Sequence, residues 1–316
     1  MFKYLKIFRN RIQILLYHRV ANVSSDPQML CVTPDKFYDQ MKFLKKKYNI
    51  ISLRSINQLL KSHKIPRNSI VITFDDGYQD NLKNAIPILE QNNIPATFFI
   101  TSGYIGENKE FYQEVLNRIF FLENKIPNTL NIKVNNIEHK YSELEQKNQK
   151  KAAYTALHKA LRSEKSDTRE SIIKELIDWS GACQKPLNDY KNLTISEVKK
   201  IAQNNLFEIG AHSVNHLILS GLDGEKQREE IGNSKIHLEK IIDKDITSFA
   251  YPYGTIDSYN KQSVEILREH DFKLGCSNYS GLIAPNTSRY ELPRFLVRDL
   301  SIERFKLFVK NNFLNY

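Results

Sequence analysis

Short, nearly uninterrupted apolar runs recur along the chain at residues 12–17, 69–74, 96–100, 207–211, 247–251 and 272–276, and helical patterns lie between them. Runs of this length without alternation suit strands buried on both faces, and helices between them suit parallel strands with crossover connections. Phe37, Met41, Leu44 and Tyr48 keep a helical period. Ile88 and Leu89 lie in a second such segment, which Pro87 starts or kinks. Thr194 followed by Glu197 predicts a capping box opening a helix just ahead of the 207–211 strand. The pattern predicts an α/β chain with a parallel sheet.

One stretch departs from a minimal barrel. Residues 109–191 are rich in Lys and Glu and helical in pattern (Phe111, Val115, Ile119; Ala153, Leu157, Ala160; Ile172, Ile173, Leu176), with one candidate strand at 131–134. The expectation is an inserted helical segment or lid, with residues 1–11 forming a basic N-terminal segment and the barrel spanning 12–316.

With 316 residues, 41% of them hydrophobic, the chain can bury a full core, which excludes disorder. The formal net charge of +10 raises the question of a polyanionic partner. Fourteen basic residues stand against three acidic ones (Asp26, Asp35, Asp39) between residues 1 and 67, and the remainder is nearly neutral. That asymmetry argues against a uniformly basic nucleic-acid binder. Cys31, Cys183 and Cys276 form no Cys-x-x-Cys pair, so neither a disulfide framework nor a thiolate metal site is indicated. No export signal or membrane-spanning run is read, and the expected location is cytoplasmic. Residues 2–9 mix Phe2, Tyr4, Leu5, Ile7 and Phe8 with Lys3, Lys6 and Arg9. That pattern suits either peripheral association with an anionic membrane or a frayed basic end.

Three segments carry chemistry. Thr73-Phe74-Asp75-Asp76-Gly77 runs a strand into adjacent carboxylates, where a barrel places its active site; taken alone, an Asp-Gly after a strand is more often a plain turn. His212 and His216, just past the 207–211 strand, have the i, i+4 spacing of metal ligands. Two histidines and a carboxylate make a three-ligand set with an open position, as in catalytic divalent-metal sites. Tyr251-Pro252-Tyr253-Gly254 ends a third strand and either exposes backbone N–H donors suited to an oxyanion or seals the core with aromatic rings.

Taken in order, these three motifs resemble those of the polysaccharide deacetylase family, the fourth carbohydrate esterase family. Leu16-Tyr17-His18-Arg19-Val20 and Ile94-Pro95-Ala96-Thr97-Phe98-Phe99 resemble the subgroup containing poly-N-acetylglucosamine deacetylases. The resemblance covers residues 12 to 300 outside the helical insert. It implies a distorted (β/α) barrel that removes N-acetyl groups from amino sugars with a divalent metal, Zn2+ foremost. Asp75 would be the catalytic base, Asp76, His212 and His216 the metal ligands, and the Tyr253 backbone N–H an oxyanion donor. Two family features are missing: the arginine that opens the third motif, where this chain has Ala250, and the late Leu-x-His motif that donates the general acid. Arg294, in Leu292-Pro293-Arg294, is the candidate replacement for the first, and His18 for the second. No role is assigned to His63, His139, His158, His237 or His270, which are read as lying in helices or loops.

The leading expectation is a deacetylase of N-acetylated sugars in cell-surface glycan synthesis, acting on a lipid-linked or polysaccharide intermediate. The alternatives are a catalytically inactive carbohydrate-binding relative and a deacetylase of soluble amino-sugar oligosaccharides. No nucleic-acid partner is expected, and the sequence does not specify an oligomeric state.

Overall fold

The computed structural model describes residues 10–107, 109–183 and 185–316. They form two compact units, one of residues up to 22 with 29–106 and 193–316, the other of residues 23–28 and 107–192. Residues 2–9, which carry the membrane-interface reading, lie outside the described residues. Among those described, no helix is long and apolar enough to cross a membrane.

In the first unit, eight strands build one parallel sheet in the order Leu274–Cys276, Ser248–Ala250, Phe207–Ala211, Ala96–Ile100, Ser69–Phe74, Ile12–Tyr17, Phe295–Leu296, with Asn49–Ile50 also paired to the start of Ser69–Phe74. Register runs from Ile12 opposite Ser69 to Tyr17 opposite Phe74, so these two strands end level. Parallel pairing forces the connecting helices onto the outer face, and that is why the strands read as continuous apolar runs rather than alternating ones. Leu15, Tyr17, Ile70, Ile72 and Phe74 pack outward beneath the helices. Ile12, Ile14, Val71 and Phe99 belong to a second cluster with Ala250, Leu274 and Cys276, the inner core of a curled sheet. The two ends of the sheet are joined through the intervening chain: Cys276 bridges Leu292 and Ile12 bridges Ile283, and Phe295 then pairs with Leu15. This is the distorted (β/α) barrel expected from the sequence.

Four strands coincide with their apolar runs, whereas those at 247–251 and 272–276 shorten to Ser248–Ala250 and Leu274–Cys276. Tyr251-Pro252 turns the chain at the end of the first of these. Asn49–Ile50 and Phe295–Leu296 span two residues each, too short to imprint a pattern. The helix Pro34–Lys47 starts with Pro at its first position and buries Phe37, Met41 and Leu44. The Thr194–Glu197 capping box is present at the start of Ile195–Gln203.

The second unit is not purely helical. Alongside the helices Tyr112–Asn117, Lys147–Arg162 and Ser166–Ser180, Leu130–Val134 and Ile137–Tyr141 form an antiparallel hairpin. His139 therefore sits in a strand, correcting its reading as a helix or loop residue. The second strand is mostly exposed and shows no apolar stripe. The informative signal was the turn, where Asn135 and Asn136 both take positive φ, 52° and 60°, the conformation that a two-residue hairpin loop demands.

Candidate active site and metal centre

Tyr17, Phe74 and Ala211 end neighbouring parts of the sheet, and the residues after them gather at one edge. Thr101 N–H donates to the Asp76 carbonyl (3.3 Å), His212 N–H to the Ile100 carbonyl (3.1 Å) and Asp75 N–H to the Tyr17 carbonyl (3.0 Å), so three strand ends lock the two chemical loops together.

Asp76, His212 and His216 are all buried, and their ligand atoms lie within 4.8 Å of one another. His212 Nε2 and His216 Nε2 each stand 3.4 Å from Asp76 Oδ1, yet that buried oxygen accepts no hydrogen bond. A desolvated carboxylate oxygen facing two imidazole nitrogens without bonding either is the arrangement a cation would complete, so the residues fit a divalent metal. His212 Nδ1 donates to the Ala250 carbonyl (2.7 Å), which fixes the tautomer and turns the Nε2 lone pair toward Asp76. Burial alone would raise the Asp76 pKa, but the surrounding imidazoles hold it well below the usual carboxylate range. Burial disfavours a charged His212, and the Asp75 and Asp76 carboxylates more than offset that, raising its pKa.

Asp75 is held separately. Arg294 Nη1 donates to Asp75 Oδ1 and Nη2 to Oδ2, each at 2.7 Å, while its Nε donates to the Ser277 carbonyl at 2.7 Å. Both side chains are buried. Burial pushes the Asp75 pKa up, but Arg294 and His212 outweigh it and the carboxyl stays below its ordinary value. Arg294 reaches the site from just ahead of the Phe295–Leu296 strand, which is the replacement the sequence suggested for the position occupied by Ala250.

His18 follows the Ile12–Tyr17 strand, half-buried, with Nδ1 buried and lacking a hydrogen-bond partner. Burial lowers its pKa, partly opposed by the nearby Asp76 and Asp75 carboxylates. The turn that carries it is pinned by Asp80, which accepts from Arg19 Nε (2.8 Å) and from Val20 N–H (3.1 Å). The Tyr253 ring lies edge-on to His216, with centroids 4.7 Å apart.

The loops are held in unfavourable backbone conformations. Asp76, Ser213, His216 and Tyr253 have φ of 76°, 60°, 54° and 63°, a region costly for side-chain-bearing residues and frequent at functional sites. At Gly77 (φ 89°) a Cβ would lie 2.9 Å from Ile100 Cγ2, so both conformation and space require glycine there. Glu230 braces the histidine loop: its carboxylate accepts from Val214 N–H (3.0 Å), Asn215 N–H (2.8 Å) and Asn215 Nδ2 (2.7 Å). Sequence reading missed Glu230, Asp80 and Ser277. Asp80 alone had a usable signal, its place five residues after Asp75.

Comparison with known proteins agrees with this geometry. A family model for polysaccharide deacetylase matches residues 62–275. The poly-β-1,6-N-acetyl-D-glucosamine N-deacetylase of Staphylococcus aureus is 24% identical over 314 residues, covering 95% of this chain and 83% of that protein. The Streptococcus pyogenes deacetylase PplD, solved in complex with acetate, shares the fold with a TM-score of 0.62 at 20% identity, over 94% of this chain and 97% of its own. IcaB from Ammonifex degensii does so with a TM-score of 0.62 at 16% identity, over 95% and 97%. Because the family model spans well over half the sequence and includes both the Asp75-Asp76 strand end and the two histidines, the chain belongs to the polysaccharide deacetylase family.

Proposed function

We propose that this N-deacetylase hydrolase is metal-dependent and removes acetyl groups from N-acetylated amino sugars of a polysaccharide. The observation that carries the reading is the buried Arg294–Asp75 fork standing beside the Asp76, His212 and His216 triad. The triad would hold a divalent cation, Zn2+ foremost, which when bound supplies Lewis acidity toward a carbonyl oxygen and acidifies a water.

The protein's own groups do the rest. Asp75, ionised and oriented by Arg294, takes the proton from water as it attacks the acetamide carbonyl carbon. The Tyr253 backbone N–H, by family resemblance, is the donor assigned to the developing oxyanion. His18 gives a proton to the departing amine so that the C–N bond breaks to acetate and a free amino sugar. The name of the S. aureus relative supports a polymer of N-acetylglucosamine as substrate class; a lipid-linked intermediate is the alternative carrier.

Asp75→Asn is the test. It should abolish acetate release from N-acetylglucosamine oligomers while metal content stays at one ion per chain; an unchanged rate removes Asp75 from the mechanism. Mass spectra of candidate polymeric and lipid-linked sugars, read for the loss of one acetyl group, identify the carrier.

A further inference from the structure

Part of the basic excess, Lys45, Lys46 and Lys47, lies together at one end of a helix. Pro34–Lys47 runs back from the strand-end edge of the sheet, so these three lysines in its last turn reach the edge where strands begin. Asn68, immediately ahead of the Ser69–Phe74 strand, lies at the same edge. The helix Ile302–Asn315 follows the last strand and descends to it too. There Phe43, Tyr48 and Phe313 line a groove of about 320 Å³ rimmed by Lys47, Lys306 and Lys310. Tyr48 and Phe313 stack with centroids 5.8 Å apart, and Lys306 Nζ stands 5.9 Å from the Phe43 ring. Beside the groove, Leu307 and Leu314 are 57% and 39% exposed. Seven positions apart, they form one stripe of the helix with Lys310 between them. No acidic residue occupies the last two turns of either helix.

We propose that this strand-start face docks on an anionic phospholipid bilayer. Lysines alone would serve any polyanion, but exposed leucines and an aromatic groove between them match the depth profile of a lipid interface, apolar groups toward the acyl boundary and ammonium groups at the headgroups. A nucleic acid leaves the leucine stripe in water. The metal site opens at the opposite edge of the sheet, so docking turns the catalytic mouth away from the lipid, and the sugar is presented from the aqueous side as an extended chain rather than at the headgroup of a carrier. That consequence for the substrate rests on the deacetylase reading; the docking itself does not.

The test is sedimentation of the full chain with phosphatidylcholine vesicles containing or lacking phosphatidylglycerol. Binding should require phosphatidylglycerol and weaken with salt. Replacing Lys47, Lys306 and Lys310 by Gln should reduce it on the order of 100-fold, at about 1 kcal/mol for each lysine. Leu307→Ser with Leu314→Ser should reduce it as well, with melting temperature unchanged in both variants. Vesicle binding that ignores both variants, that disappears on deleting residues 2–9 alone, or that is absent in the parent chain overturns the proposal. Acetate release from a soluble N-acetylglucosamine oligomer is measured in parallel and should be unaffected; its absence throughout, with lipid binding still lost in the variants, refutes the deacetylase reading and leaves the docking intact.

Discussion

Arg294 grips both oxygens of Asp75 at 2.7 Å across 219 residues of sequence. Two parallel N–H to oxygen bonds fix the carboxylate's plane as well as its charge, which a lysine would not do. Arg294→Lys should therefore retain folding better than Arg294→Met but lose most of the acetate release. Removing the cation strands a buried carboxylate, a loss of about 3–5 kcal/mol for the Met variant. The pH dependence has a definite sign: in the proposed mechanism Asp75 works ionised, and Arg294 lowers its pKa, so in the Lys variant the acidic limb of kcat/KM should move to higher pH. A limb that stays in place separates Arg294 from the base.

His18 is expected to matter in proportion to how badly the leaving group needs a proton. His18→Gln should slow N-deacetylation on the order of 100-fold, within the usual range for a general acid. An aryl acetate ester, whose phenolate leaves unaided, should be cleaved at nearly the parent rate. Equal losses on both substrates would assign His18 a structural role.

Glu230 reaches no reacting atom yet holds the backbone between the two histidines. Glu230→Gln turns an amide N–H₂ toward N–H donors and should weaken metal binding by about 10- to 100-fold, the usual cost of disturbing groups behind metal ligands. Competition with a chromophoric chelator measures this; an unchanged affinity would show that the loop holds its shape without the carboxylate.

In the second unit, His158 lies between the rings of Tyr112 and Tyr154, with centroids 5.4 and 5.9 Å away. Burial, reinforced by Arg162, lowers its pKa to about 4, against about 6.5 in an unfolded chain. The unfolded state thus binds the proton first, and stability should fall as pH drops through 6.5, levelling off below about 4, by on the order of 2 kcal/mol once partial exposure is allowed for. Trp179, the only tryptophan in the sequence, belongs to this unit and reports its unfolding by fluorescence. His158→Phe should flatten the slope between those pH values; an identical slope locates the titration elsewhere.

How much of this was legible beforehand follows from where the information resides. The long strands declared themselves because burial on both faces leaves an apolar run, and Asp75, Asp76, His212 and His216 because they sit directly behind such runs. The Ile137–Tyr141 strand did not, since its side chains are largely solvated and only the Asn135-Asn136 turn marks it. Arg294 became a candidate through the family resemblance, because nothing near Leu292-Pro293 indicates a partner more than 200 residues upstream. Glu230 was silent for a similar reason: its role is set by the packing of a helix against a loop, and no local period records it.

The segment that bridges Cys276 to Leu292 and Ile12 to Ile283 also delivers Arg294 to Asp75 and offers the Ser277 carbonyl that steadies it. Closing the barrel and orienting the Asp75 carboxylate are thereby one event. A chain whose seam has opened keeps most of its strands paired while the Asp75 carboxylate loses its Arg294 clasp, so heat or mild denaturant should silence the enzyme before the sheet melts. The seam acts as an interlock, leaving a partly folded copy unable to hydrolyse what it meets.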